Sequence, residues 1–222
     1  VMIFKDADIE AAVKHCAAGK FRNAGQVCIS PTRFFIEEPV YDEFIKSFKS
    51  HVEAINVGDG LDSKSTMGPL VADRRLEVME DFISDAVSSG GEVISGGGRG
   101  QSPGSFFEPT LIRDVPDTAK IMIEEPFGPV APSASFSSID EIIERANSLP
   151  FGLASYAFTS NPRTSQILKS EIESGMLAIN SMHIHSVETP FGGLKHSGYG
   201  YEGSIEGLEA FLVTKYSSEI YT

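Results

Sequence analysis

Ala154-Ser155-Tyr156-Ala157-Phe158, Asn161-Pro162 and Met176-Leu177-Ala178-Ile179 decide the fold class when read together. The first run is a strand. Asn at a cap followed by Pro in the first helical turn opens a helix. The last run is a second, buried strand. A strand–helix–strand unit brings the chain back in the same direction, so its two strands pair in parallel.

The same alternation extends outward. Ser138-Ile139-Asp140-Glu141 has the form of a capping box and opens a helix to about Asn147. Tyr41, Phe44, Ile45, Phe48 and Val52 mark one face of an amphipathic helix opened by Pro39. Leu76, Met79, Phe82, Ile83, Ala86 and Val87 mark another, stopped by Gly90-Gly91. Glu92 to Ser95 reads as a short strand, Phe106 to Ile112 as an extended piece, and Val1 to Phe4 as a core strand. Phe211 to Ser217 reads as a terminal strand. The expectation is α/β: a mainly parallel twisted sheet flanked by helices, with a C-terminal strand trailing it.

Composition narrows the function. With 18 basic against 31 acidic residues the formal charge is −13, a field that repels nucleic-acid phosphates. No apolar run reaches the length of a membrane span. Cys16 and Cys28 are too few for a disulfide framework or a zinc site, and two free thiols suit a reducing compartment, the cytoplasm. Ile9, Ala12, Val13 and Cys16 share a helical face, so Cys16 reads as a small buried hydrophobe.

Phe21-Arg22-Asn23-Ala24-Gly25-Gln26-Val27-Cys28 carries the chemistry. Gly25 before the thiol and Pro31 after it argue for a turn rather than a helix interior. From spacing alone, Cys28 is as well read as structural as it is as reactive. The segment resembles the nucleophile motif of aldehyde dehydrogenases, and four more stretches share that resemblance. They are Met67-Gly68-Pro69-Leu70, Phe107-Glu108-Pro109-Thr110, Glu124-Glu125-Pro126-Phe127-Gly128-Pro129 and Pro190-Phe191-Gly192-Gly193-Leu194-Lys195-His196-Ser197-Gly198. They stand in the family's order across nearly the whole chain.

The resemblance implies that Cys28 attacks an aldehyde carbon and that the thiohemiacetal gives hydride to NAD or NADP. Water then hydrolyses the thioester. The Cys28 backbone N–H would be an oxyanion donor. Glu125 would bind the nicotinamide-ribose hydroxyls, and Phe127 would pack beside the nicotinamide. Arg22 and Ser186 resemble positions that hold the substrate carboxylate in succinate-semialdehyde dehydrogenases, and Phe191 joins them as a substrate contact. Ser30 stands where that branch often has a second cysteine, and Tyr201 replaces its usual arginine, which leaves the precise aldehyde open. A dehydrogenase of neutral aldehydes and a non-catalytic, oligomer-forming homologue are the alternatives.

The resemblance further implies a catalytic domain over residues 1–210, an oligomerisation strand over 211–222, and a homodimer or homotetramer. It sets the cofactor-binding domain, the general base, a side-chain oxyanion donor and a cofactor-binding lysine upstream of Val1, so the 222-residue chain by itself is expected to turn over no aldehyde. Other motifs yield to plainer readings. Gly198-Tyr199-Gly200-Tyr201-Glu202-Gly203 matches a dinucleotide fingerprint but follows a turn-rich loop instead of a strand. Gly96 to Gly100 reads as a tight surface turn. His183 and His185 lack partners for a metal, and Asp6 and Asp8 read as charge at a helix N-terminus.

Overall fold

The runs with apolar residues on both faces become the interior strands of one sheet. In the computed structural model, which describes residues 1–100 and 103–222, the strands are β1 (Met2–Ile3), β2 (Phe34–Glu37), β3 (Glu92–Ser95), β4 (Thr110–Arg113), β5 (Val130–Phe136), β6 (Phe151–Gly152), β7 (Ala154–Phe158), β8 (Met176–Ile179) and β9 (Leu194–Lys195). The helices are α1 (Ile9–Phe21), α2 (Tyr41–Glu53), α3 (Arg74–Ser88), α4 (Lys120–Ile123), α5 (Ile139–Asn147), α6 (Pro162–Glu171) and α7 (Ser204–Glu209). Seven of these strands form a sheet in the order β3-β4-β5-β2-β1-β7-β8. Every neighbouring pair is parallel except β3 with β4. The expected α/β class and mainly parallel sheet are therefore found.

The chain leaves β1 through α1 toward β2, and leaves β7 through α6 in the opposite direction toward β8. Right-handed crossovers then put α1 and α6 on opposite faces. α1 packs on α2, which lies over β2, β3 and β4, while α5 packs on α6. Between sheet and α2 the core is aromatic: the Phe48 ring centroid lies 5.3 Å from that of Phe34 and 5.4 Å from that of Phe44.

Local signals are realised with small differences. Asn161 accepts from the N–H groups of Arg163 and Thr164. Ser138 accepts from Glu141 N–H, but Glu141 reaches back to Ser137 rather than to Ser138 itself. Asp8 caps α1 through Ala11 N–H, whereas Asp6 accepts from the Thr159 hydroxyl and does not cap the helix. The Gly96–Gly100 stretch is not a free surface turn. A Cβ on Gly96 would overlap the Pro109 carbonyl, and Gly97 N–H donates to Thr110 Oγ1 at 2.9 Å. Residues 198–203 follow β9, which pairs antiparallel with β6 outside the main sheet, so they open no β–α–β unit.

The terminal segment forms no strand within this chain. Residues 212–222 pair with nothing in the described chain, and Phe211, Val213 and Tyr216 are 86%, 94% and 87% exposed. A strand needs a neighbour for its backbone groups, and within this chain none is offered.

Where β1 and β7 lie side by side and their connections diverge, open α/β sheets usually hold a ligand outside the carboxyl ends. Here that crevice is filled by side chains. Thr159 Oγ1 donates to both Asp6 oxygens at 2.9 and 3.1 Å and accepts from Asn161 N–H. Asn180 pairs with the Thr159 backbone through both its amide groups, and Ser160 donates to Asp6 O at 2.7 Å. Thr159→Val keeps the shape but strips the Asp6 carboxylate and the Asn161 N–H of a partner. It is expected to cost about 1–3 kcal/mol in urea denaturation, with Cys28 alkylation unchanged.

Candidate active site

The cleft lies at the other end of the sheet. About 420 Å³ in volume, it is lined by Cys28, Arg33, Glu125, Ser155, Glu173 and His196 among others. Thr32 and Arg33 run into β2, Leu153 runs into β7 and Ser174 leads to β8, so the cleft opens at the amino ends of the strands.

Cys28 sits in a turn closed by Ser30 N–H donating to Val27 O at 2.9 Å, and its thiol is exposed. The approach to the turn is strained. Asn23, Ala24 and Gly25 all take positive φ (52°, 53° and 72°), which Gly tolerates freely, Asn moderately and Ala poorly. Gly25 has a second reason to be glycine: a Cβ there would overlap the Gly128 carbonyl oxygen.

The five motifs meet around the turn and the cleft. Gln26 donates to Pro69 O at 3.3 Å and accepts from Val71 N–H at 2.9 Å, which docks the Met67–Leu70 stretch. Gly128 backs onto Gly25 on one side and Met79 on the other. Arg75 donates to Pro126 O, holding the Glu125–Phe127 segment to α3. Thr110 N–H donates to Pro129 O at 2.8 Å. Gly152 N–H donates to Ser197 Oγ at 2.9 Å, bringing the last motif to the cleft wall.

Over residues 1–217 the sequence matches the family described as "Aldehyde dehydrogenase family". The chain belongs to the aldehyde dehydrogenase family. It is 44% identical to the probable succinate-semialdehyde dehydrogenase [NADP(+)] of Sinorhizobium fredii, over 97% of this chain and 44% of that protein. It is 42% identical to a putative 4-(hydroxymethyl)benzenesulfonate dehydrogenase of Comamonas testosteroni, over 97% of this chain and 45% of that one. The crystal structure of succinate-semialdehyde dehydrogenase from Burkholderia pseudomallei superposes with a TM-score of 0.94 at 38% identity, over 96% of this chain and 44% of that one. The chain thus spans a little under half the length of these relatives.

Within this family member, Cys28 and Glu125 share the cleft, and Phe127 follows two residues on, 38% exposed and at a positive φ of 43°. Arg22 is exposed at the end of α1 and does not line the cleft. Ser186 lies on an exposed loop, its N–H donating to Thr189 Oγ1. Phe191 bridges to Glu202 and packs beside His185, with ring centroids 6.4 Å apart. The described structure therefore unites two of the expected site residues and leaves the substrate set apart from them. Among the described residues no group of three or more His, Cys, Asp or Glu could hold a metal, and no helix is long and apolar enough to cross a membrane.

Several neighbours of the cleft escape sequence reading. Arg33 lines it, but its guanidinium is committed to the carbonyls of Arg145 and Ala146 at the end of α5. Tyr156 donates to Ile29 O at 2.7 Å. Lys20, 1% exposed, is buried in the last turn of α1. Its signal was present in the sequence, because Ala12, Cys16 and Lys20 recur every four residues on one buried face.

Burial pushes the Lys20 pKa down to about 7, opposed by the charge of Glu125. Glu125 is exposed by area, yet the cleft walls around its carboxyl raise its pKa, and Lys20 pulls it back. Below pH 7 both folded and unfolded chains protonate Lys20, and the fold bears the full cost of the buried ammonium. From there to the ordinary lysine range only the unfolded chain holds that proton, so stability rises with pH. Lys20→Met is expected to stabilise most at low pH, and the gain should shrink by on the order of 2 kcal/mol between about pH 6 and about pH 9, as read from urea midpoints.

Proposed function

We propose that the protein oxidises an aldehyde to a carboxylic acid through a covalent adduct on Cys28, with NAD or NADP as hydride acceptor. The observation that carries this reading is an exposed thiol on a strained, heavily braced turn, facing a cleft with Glu125 on its wall. The thiolate adds to the carbonyl carbon, and the Cys28 backbone N–H meets the negative charge that grows on the oxygen. The residues fit one end of the cofactor: a carboxylate at the cleft mouth suits two ribose hydroxyls, and the exposed Phe127 ring suits the nicotinamide face.

The substrate we infer is a short semialdehyde with a distal anion, such as succinate semialdehyde. Two relatives support this, one named for a semialdehyde and the other for a sulfonate. Arg22, exposed six residues before Cys28, is the guanidinium proposed for that anion, since Arg33 in the cleft is spent on carbonyls. Ser186 and Phe191 would contribute to the same grip from their own loop. The neutral-aldehyde reading draws on one observation, that Arg22 does not line the cleft.

Alkylation separates these. Iodoacetamide should modify Cys28 well before the buried Cys16, and succinate semialdehyde should protect Cys28 about tenfold better than butanal. Arg22→Ala should abolish that preference. Equal protection would leave Arg22 and Ser186 without their role, and equally slow modification of both thiols would remove Cys28 as nucleophile.

The exposed apolar run Phe211–Tyr216 supports a second proposal: it adds a strand to the sheet of another copy, giving a homodimer or homotetramer. A chain ending at Ala210 should sediment as a monomer where the 222-residue chain associates. An unchanged association state would rule the strand out.

A further inference from the structure

Tyr156 lies in the middle of β7, paired in register with Ala178 of β8, and is 2% exposed. Ala154 and Ser155, just before it on the same strand, line the cleft directly. The Tyr156 hydroxyl crosses to the carbonyl of Ile29, the residue after Cys28, at 2.7 Å, a span of 127 residues. Such a bond costs a buried hydroxyl nothing only if the partner stays in place, so it fixes the partner as much as the tyrosine.

The turn's other braces act elsewhere. Asn23 and Gln26 exchange bonds on the approach side. Ser30 Oγ donates to Lys20 O at 3.1 Å, tying the exit back to α1. Among the described residues, the Tyr156 bond is the one that ties the residue after Cys28 to the parallel sheet. Burial and the neighbouring Cys28 both push the Tyr156 pKa up, with Arg22 opposing them. The phenol therefore remains a donor throughout the working pH range.

We propose that Tyr156 is a positioning residue for the nucleophile, its hydroxyl holding the Ile29 carbonyl so that Cys28 and its N–H keep their aim into the cleft. The inference rests on the reading of Cys28 as the reacting group, and the geometry assigns the task to the hydroxyl, not the ring.

Tyr156→Phe tests it by removing one oxygen. Amide hydrogen exchange of residues 27–30 should speed up by on the order of tenfold relative to amides of β2 and β5 in the same molecule. Protection of Cys28 from iodoacetamide by succinate semialdehyde should weaken by a similar factor. A purely structural tyrosine would shift all amides together and leave that protection unchanged at temperatures where the chain is folded. Either result would overturn the proposal. So would failure of the variant to fold, because a bond local to one turn cannot hold the sheet together. Wild-type protein reports separately on the nucleophile: if it shows no aldehyde protection of Cys28, that reading falls, while the exchange data still decide whether the bond braces the turn.

Discussion

The contact on which the site depends is that of Gly25 against the Gly128 carbonyl. Two segments a hundred residues apart in sequence meet there backbone to backbone, with no room for a single methyl group. One carries Cys28 three residues later, and the other carries Glu125 three residues earlier. Because no side chain intervenes, their separation is set by covalent geometry and cannot be relaxed by a change of rotamer. On its other side Gly128 packs against the Met79 side chain of α3, where an added Cβ would again overlap. The thiol and the carboxylate thus inherit their relative position from the stiffest material a protein has.

That precision is obtained against local preference. Asn23 and Ala24 enter the left-handed region before Gly25, and Phe127 does so beside Gly128. Each non-glycine residue in that region costs on the order of 1–3 kcal/mol, so the surroundings must over-determine the conformation. They do: Gln26 bonds to three carbonyl or amide partners, Arg75 holds Pro126, and Tyr156 holds Ile29. Single left-handed residues also occur elsewhere, at Asp114, Asn180, Lys195 and Ser204, but among the described residues only the approach to Cys28 strings three positive-φ residues together, while β2, β5 and β7 behind it keep parallel pairing.

This division explains what could be read from the sequence. Strand and helix positions rest on local periodicity and caps, so Asn161-Pro162 and Ser138 announced their helices correctly. That Cys28 and Glu125 lie in one cleft could be anticipated because whole motifs surround them. The Tyr156 contact could not, since nothing in Ala154-Ser155-Tyr156-Ala157-Phe158 says that its hydroxyl meets Ile29; only the sheet register does. Lys20 lay between these cases, detectable as a charge on an apolar helical face. The terminal segment was read as a strand from its apolar residues, but pairing is a property of two segments, and this chain supplies one.

The placement of the cleft follows from the same reasoning. A doubly wound sheet offers its natural crevice at the carboxyl ends, where β1 and β7 send their connections apart. In this protein that crevice is closed by the Asp6, Thr159, Ser160 and Asn180 network, whose polar groups satisfy one another. At the amino ends, the loops entering β2, β5, β7 and β8 leave a hollow, and the motifs all lie in those loops or brace them. Lys20 shows the consequence. An ammonium buried among them faces a carboxylate at the mouth, and each shifts the other toward its charged form against the cost of burial. A hollow built from incoming loops takes its local charge from the side chains around it, and here Lys20 and Glu125 each oppose the other's desolvation.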